Sequence, residues 1–382
     1  MRQQDKKAVP KPGVKAQKGS IDSTFLILTF IILTCGLVMM FSASYAYAFY
    51  YYGNSFYFIA RQLMFACIGV AAMLFISFFD YHILHRFAWP IMAVSWALLV
   101  VVMFLPKQKG VRRWIDLGFT TLQPSEIAKF ALVVIFAHMV SIYYSKMKTF
   151  RYGIAPFIGV LAVTAGLVVI EPHLSATVLI CLIGAVMMFV GGSNLKWFGL
   201  AAVAGVVGLG LISLNKEVIA YATSRFAYWL DPFSDTQGFG YQTLQSLYAV
   251  ASGGLLGTGI GQSRQKYLYL PEPQNDFVFA IVCEELGFVG AVFIIVLFAL
   301  LIWRGFVIAA KAKDRFGSML AVGLTAQVGL QVILNIAVVT NTIPNTGISM
   351  PFFSYGGTAL CMLLAQMGVI LSVSRQSSLE KE

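Results

Sequence analysis

Long apolar runs separated by short charged or turn-rich breaks dominate the chain from residue 24 onward. The breaks predict ten spans, at 24–46, 57–79, 87–105, 124–142, 153–170, 174–191, 198–213, 276–303, 318–340 and 357–373. Runs of about 17 to 25 apolar residues suffice to cross a hydrocarbon core of roughly 30 Å. The pattern therefore predicts an all-α integral membrane protein with about ten transmembrane helices. No fixed-period repeat divides it. The expected organisation is a disordered basic tail over 1–22, one polytopic membrane domain over 23–375 and a short tail over 376–382. Within the membrane domain, 214–275 is expected to form a large extracytoplasmic loop between helices 7 and 8.

Composition sharpens this reading. The chain is 59% hydrophobic and 11% charged, with a mean hydropathy of +0.79, against about 25% charged residues in an average soluble domain. The five cysteines all fall in apolar runs without CxxC spacing, as small core residues do. Of the four histidines only His82 and His85 are close, so no histidine metal centre is predicted. The net charge of +11 does not point to nucleic acid, because Arg2, Lys6, Lys7, Lys11, Lys15 and Lys18 crowd the tail and no aromatic-interleaved basic stripe accompanies them. A basic tail beside a first span is instead a cytoplasmic topology signal. That span lacks the small-residue cleavage site of a signal peptide and is expected to remain as an anchor.

With the tail inside, inner segments hold 17 of the 27 Lys and Arg residues and outer segments hold 8. Both termini are then cytoplasmic. Two outer segments run against the trend: 106–123, with Lys107, Lys109, Arg112 and Arg113, and the long 214–275. Binding an anionic group at the outer surface would account for them.

The stretch YLYLPEPQNDFVFAIVCEELGFVGA (267–291) places Asp276 where the outer loop enters the eighth span. A helix N-cap is one reading of that position. A site is the other. On a continuous helix, Cys283, Gly287 and Gly290 would lie within about 40° of Asp276 and Glu284 within about 80°, so small and acidic residues would share a side facing other helices or a wet cavity. Glu284 and Glu285 then mark a polar interior or a structural feature, since carboxylates at such depth are costly unless paired or hydrated. In GVRRWIDLGFTTLQPSEIAKF (110–130), Pro124 suits a first helical turn, with Gln123 or Thr121 near the cap. Glu126 and Lys129 then fall at i, i+3, as an ion pair or as substrate ligands. Arg112 and Arg113 beside Trp114 would supply an anion clamp with an aromatic platform.

Within the long loop, Tyr241, Leu244, Tyr248 and Ala251 recur at helical spacing opposite Gln242, Gln245 and Ser246. This predicts a short amphipathic helix, lying at the interface or packed on the bundle. GTGIG (257–261) lacks the strand and βαβ context of a dinucleotide site. Its glycines suit tight turns or re-entrant backbone. NTIPNTGISMPFFSYGG (341–357) predicts an ordered loop over the bundle mouth, structural or with Asn345, Ser354 and Tyr355 turned to a sugar.

Taken together, RRWIDLG with QPSEIAKF, then RFAYWLDPFSDTQGFGYQTLQSLYAVASGGLLGTGIGQSRQKYLYLPEPQNDFVFAIVCEELG, then NTGISMPFFSYGGT resemble the SEDS family (shape, elongation, division and sporulation), which includes FtsW, RodA and SpoVE. GQSRQKYLYLPEPQNDF looks more like the FtsW and SpoVE branch. The resemblance implies a peptidoglycan glycosyltransferase using lipid II at the outer face of the bacterial cytoplasmic membrane, in division or sporulation. It implies a class B penicillin-binding protein and other divisome proteins as partners, and no organic cofactor. The family's proposed catalytic aspartate maps onto Asp276, and Gln262, Arg264, Glu272 and Ser354 stand in its motifs as substrate contacts beside Arg112, Arg113, Trp114, Glu126 and Lys129. One departure is EPHLSAT (171–177), where members often carry aspartate and glycine in place of His173 and Ser175.

In the scheme this implies, Asp276 takes the proton of the attacking sugar hydroxyl, and Arg112, Arg113 and Lys129, with or without a divalent cation such as Mg or Mn, hold the departing pyrophosphate. No second carboxyl is needed to protonate such a leaving group, unlike glycoside hydrolysis. A lipid II flippase is the rival reading, because Arg61, Lys129, Glu284 and Glu285 would also suit a translocation path.

Overall fold

A computed structural model of the chain describes residues 19–106, 111–118, 120–171, 173–199, 229–234 and 240–377. The basic tail up to residue 18, Lys107, Lys109, nearly all of the span expected at 198–213, much of the loop expected at 214–275 and the last five residues lie outside the described residues.

Nine of the expected spans fall on helices. These are α1 (Ser23–Tyr52), α2 (Tyr57–Ser77), α4 (Ala88–Met103), α5 (Pro124–Tyr143), α6 (Ala155–Ile170), α7 (Leu174–Val190), α9 (Val278–Ala310), α10 (Arg315–Val339) and α11 (Gly357–Ser377). Two short helices join them, α3 (His82–Arg86) and α8 (Tyr241–Ser252). Among the described residues, seven helices are long and apolar enough to cross a membrane, and α4 and α7 are shorter apolar helices. The chain is thus a multi-pass, mostly helical membrane protein. One two-residue hairpin, β1 (Ile115–Asp116) against β2 (Thr121–Leu122), departs from an all-α fold.

Helix ends follow local chemistry. Asp22 caps α1 by accepting from the Phe25 amide at 2.9 Å. Gly53, at φ +67°, stops it after Tyr52, six residues beyond the expected limit of 46, because the aromatic run YAYAFYYY contains nothing to break a helix. Arg304, which reads in sequence as the end of the eighth span, instead reaches Asp22 with Nη2 2.8 Å from Oδ2. The helix therefore continues to Ala310.

Contacts between helix ends sort the molecule into two faces. On one, Asp22 meets Arg304, Tyr81 donates to Asp314, and Arg375 donates to the Phe78 carbonyl. On the other, Ser246 donates to the Val339 carbonyl, Gln62 to that of Ser354, and the Tyr355 amide to that of Gln274. Asp276 belongs to the second face.

Helix α9 is broken at Gly287, whose φ of +67° and ψ of −169° only glycine adopts readily. The chain from Gly253 to Gly259 packs into this break. The Thr258 amide donates to the Glu284 carbonyl, that of Gly259 to Glu285, and those of Phe288 and Val289 to Gly254 and Leu255, at 2.9–3.1 Å. A Cβ on Gly287 would stand 2.3 Å from the Gly257 nitrogen, and one on Gly257 2.2 Å from the Glu285 carbonyl oxygen. The glycines of the GTGIG stretch thus serve a re-entrant backbone. Gly287→Ala is expected to destabilise the protein by about 1–3 kcal/mol and to expose segment 253–259 to protease, read by thermal unfolding and limited proteolysis in detergent.

The break also corrects the helix-face geometry. Asp276 precedes α9, and the phase of the helix is lost at Gly287, so Asp276, Gly287 and Gly290 do not form one continuous helical stripe. Helix α8 differs as well. It packs on the bundle and buries Thr243, Leu244, Ser246 and Ala249, while Tyr248 and Ala251 are exposed. Ser246, expected on its polar outer side, turns inward because its hydroxyl satisfies the last-turn carbonyl of Val339.

Candidate functional site

The cap position of α9 is taken by Phe277, so the N-cap reading of Asp276 does not hold. Asp276 is half-buried in the turn ahead of the helix. Its backbone is fixed from α10: Asn335, fully buried, donates through Nδ2 to the Asp276 carbonyl at 2.7 Å and to the Ile348 carbonyl at 2.6 Å. One amide thereby ties the head of α9 to the loop over 340–356. The carboxylate faces Gly347, where a Cβ would stand 3.1 Å from Oδ2. A larger residue there would crowd it.

Below this loop a polar cleft of about 50 Å³ runs inward, lined among others by Glu126, Gln327, Gln331, Ser354, Tyr355 and Gln366. It has room for a few waters. Gln327 Nε2 donates to Gln366 Oε1 at 3.2 Å while Gln327 Oε1 lacks a partner among the described residues. A buried amide oxygen of this kind calls for a solvent or ligand donor.

Glu126 and Lys129 form the pair that their spacing anticipates, with Nζ 2.7 Å from Oε1 and side chains 16% and 2% exposed. Pro124 opens their helix and Gln123 holds the cap position. Ser354 lines the cleft, its hydroxyl accepting from the Met350 amide at 2.7 Å. Arg113 reaches the Glu171 carbonyl through Nε at 3.5 Å, and Trp114 is half-buried beside it in sequence. Arg112 is exposed and donates to the Met103 carbonyl at 3.0 Å, tying the segment ahead of β1 back to the end of α4.

Three other expected contacts stand outside the cleft. Gln262 and Arg264 have exposed side chains on a segment anchored lower on α9, where the Arg264 amide donates to Glu284 Oε1 at 2.8 Å. Glu272 sits in the turn before Asp276 at φ +45° and accepts from Asn275 Nδ2 at 2.6 Å. Glu284 and Glu285 prove to be structural: Lys266 Nζ lies 2.9 Å from Glu285 Oε1, the Ser42 hydroxyl bonds Glu285 at 2.7 Å, and the Ser263 hydroxyl donates to Glu284. Both carboxylates and Lys266 are buried.

Residues 171–175, the corner where this chain departs from the family pattern, adjoin the site. Ser125 Oγ lies 3.4 Å from His173 Nδ1, and Ser175 donates to the Thr346 carbonyl, next to the Gly347 that faces Asp276. A glycine at 175 would have no hydroxyl for that bond. Glu171 is 1% exposed, and neither carboxylate oxygen has a hydrogen-bond partner among the described residues. Burial pushes its carboxyl up to about 8 against the opposing charge of Arg113. Burial, together with Arg113 and Lys129, draws His173 down to about 3, so the ring is neutral.

An acid whose pKa is higher folded than unfolded takes up a proton on folding, so this group loses stability as pH rises from about 4.5 to about 8. Glu171→Gln is expected to match wild type at pH 4 and to unfold a few degrees higher at pH 8, by thermal denaturation in detergent.

Among the described residues no three His, Cys, Asp or Glu side chains gather as metal ligands would.

Fold and site define a multi-pass membrane protein with a carboxylate and a polar cleft at one membrane face, under a loop pinned by buried amides. The chain belongs to the FtsW, RodA and SpoVE family of cell cycle proteins, whose sequence model matches residues 23–379. Stage V sporulation protein E of Bacillus subtilis (strain 168) is 42% identical over 368 residues, covering 94% of this chain and 99% of that protein. The probable peptidoglycan glycosyltransferase FtsW of Trichlorobacter lovleyi is 36% identical over 362 residues, covering 92% and 93%. Among solved structures, a chain of a peptidoglycan synthase complex that coordinates polymerization and crosslinking superposes with a TM-score of 0.77 at 26% identity, covering 94% of this chain and 98% of that one. The rod shape determining protein RodA of Thermus thermophilus gives 0.69 at 25% identity, covering 93% and 97%.

Proposed function

We propose that this chain is a peptidoglycan glycosyltransferase that polymerises lipid II at the outer face of the cytoplasmic membrane, with Asp276 as general base. The observation that carries the mechanism is the setting of Asp276: ahead of its helix, held through its backbone by Asn335, with its carboxylate against a glycine. Family membership and the relative named as a probable peptidoglycan glycosyltransferase support the activity.

In the reaction, the acceptor sugar hydroxyl attacks the anomeric carbon of the donor. The new C–O bond forms as the bond to pyrophosphate breaks, the hydroxyl proton passes to Asp276, and the pyrophosphate leaves with the bonding electrons. Arg112, Arg113 and Lys129 are the cations proposed to meet that charge, with Trp114, Glu126, Gln262, Arg264, Glu272 and Ser354 as further substrate contacts. A Mg or Mn ion would arrive on the pyrophosphate itself. Charge supports the outward orientation: of the 16 described Lys and Arg residues, ten lie toward the face opposite Asp276 and six toward its own, and the richer face is the cytoplasmic one. A class B penicillin-binding protein is the proposed partner, in keeping with the synthase complex that the fold matches.

Transport of lipid II is the less supported reading. Glu284 and Glu285 are closed off by Ser263, Ser42 and Lys266 instead of lining a path. Purified protein given labelled lipid II, with and without the transpeptidase, tests the choice. Glycan chains in detergent are expected, whereas movement of label across vesicles without elongation would defeat the proposal.

A further inference from the structure

At the face opposite Asp276, the links from α2 to α4 and from α9 to α10, with the end of α5, border an open cavity of about 670 Å³, lined by His82, His85, Arg86, Ser141, Asp314 and Arg315 among others. Neither guanidinium has a carboxylate within ion-pair distance among the described residues; the pairs at this face join His82 to Asp80 and Asp314, and Arg304 to Asp22. The Arg315 guanidinium lies 3.5 Å over the Tyr144 ring. Stacking holds that planar group by its face and leaves its N–H edge for an acceptor.

Asp314 is already engaged. It caps α10 through the Phe316 and Gly317 amides at 3.0 and 3.1 Å, accepts from the Tyr81 hydroxyl and faces His82 Nε2 at 3.6 Å. Its charge is met within the chain, whereas neither guanidinium meets a carboxylate among the described residues. His85 Nε2 donates to Ser141 Oγ at 3.0 Å when the Ser141 hydroxyl donates to the His138 carbonyl at 2.7 Å, which firms one wall of the cavity.

The setting decides the kind of anion. Helix α3 offers His82, His85 and Arg86 to the cavity, while Ile83, Phe87 and Trp89 beside them are each about half exposed, at 50%, 48% and 51%. Apolar and aromatic side chains at that exposure, at the ends of spanning helices, mark the membrane boundary. A basic pocket between spanning helices at this level fits a lipid headgroup, and an arginine fork matches phosphate oxygens in pairs.

We infer that this cavity binds the phosphate of an anionic phospholipid, at a site separate from the lipid-linked substrate. Asp276 and the polymerisation reaction take no part in this binding.

Native mass spectrometry tests it on full-length protein passed through vesicles of phosphatidylethanolamine and phosphatidylglycerol and released into detergent. Wild type is expected to retain phosphatidylglycerol in preference to phosphatidylethanolamine. Arg86→Gln and Arg315→Gln are each expected to lower that retention about fivefold, and inorganic phosphate is expected to leave the lipid in place. Arg86 is exposed and makes no hydrogen bond among the described residues, so its variant reports even where Arg315→Gln fails to fold. Equal retention by wild type and Arg86→Gln, retention without headgroup preference, or displacement by inorganic phosphate, which would mark a free-phosphate site, overturns the inference.

Discussion

Lys266→Met is expected to lower folding stability by about 3–5 kcal/mol, the usual consequence of leaving one partner of a buried ion pair uncompensated. Lys266 Nζ and Glu285 are 3% and 0% exposed and 2.9 Å apart. Ser42 bridges them, 2.7 Å from both Glu285 oxygens and 3.2 Å from Nζ, and the Ser263 amide adds a contact to Glu285 at 3.3 Å. Three stretches distant in sequence, in α1, in residues 263–266 that follow the re-entrant segment, and in α9, thus meet at one charge pair. Replacing both charges by neutral side chains is commonly tolerated far better than removing one. Lys266→Met with Glu285→Gln is therefore expected to recover most of the loss. Denaturation in detergent reads both variants, and a single variant as stable as wild type would show that the pair does not pin residues 263–266 to α9.

The second large effect is on rate. Asp276→Asn removes the proposed base while keeping the shape of the side chain and the carbonyl that Asn335 holds at 2.7 Å. Removing a general base costs typically 10²–10⁴-fold, so the polymerisation rate is expected to fall by about that factor or more while thermal stability stays near wild type.

What the sequence made legible follows the range of the interaction involved. Nine spans could be read because an apolar run is local, and the Glu126–Lys129 pair because i, i+3 on a helix is local. Where a helix end depended on a distant partner, the reading fell short, as with Arg304, whose charge suggested a boundary until Asp22 accounted for it. The stripe drawn through Asp276 and Gly287 assumed an unbroken 3.6-residue period. Its failure comes from the segment at Gly253–Gly259, which supplies hydrogen bonds across the break.

The partner of Glu285 was hidden for the same reason. Lys266 lies 19 residues earlier on a path that periodicity does not describe. Asn335, which fixes Asp276, did leave a signal: with Gln327 and Gln331 it is one of three side-chain amides in a largely apolar span, where a polar group needs a buried partner. Residues 171–177 left a fainter one, the departure from the family pattern at His173 and Ser175; Ser125, Ser175 and Thr346 join that corner to the loop facing Asp276.

The position of Asp276 is central to the functional account. Purified wild type and Asp276→Asn, matched for thermal stability and each combined with the cognate transpeptidase, are to be compared for glycan chain formation from lipid II. Chains from wild type and none above background from Asp276→Asn are the predicted result. Chain formation by Asp276→Asn at the wild-type rate would contradict the account.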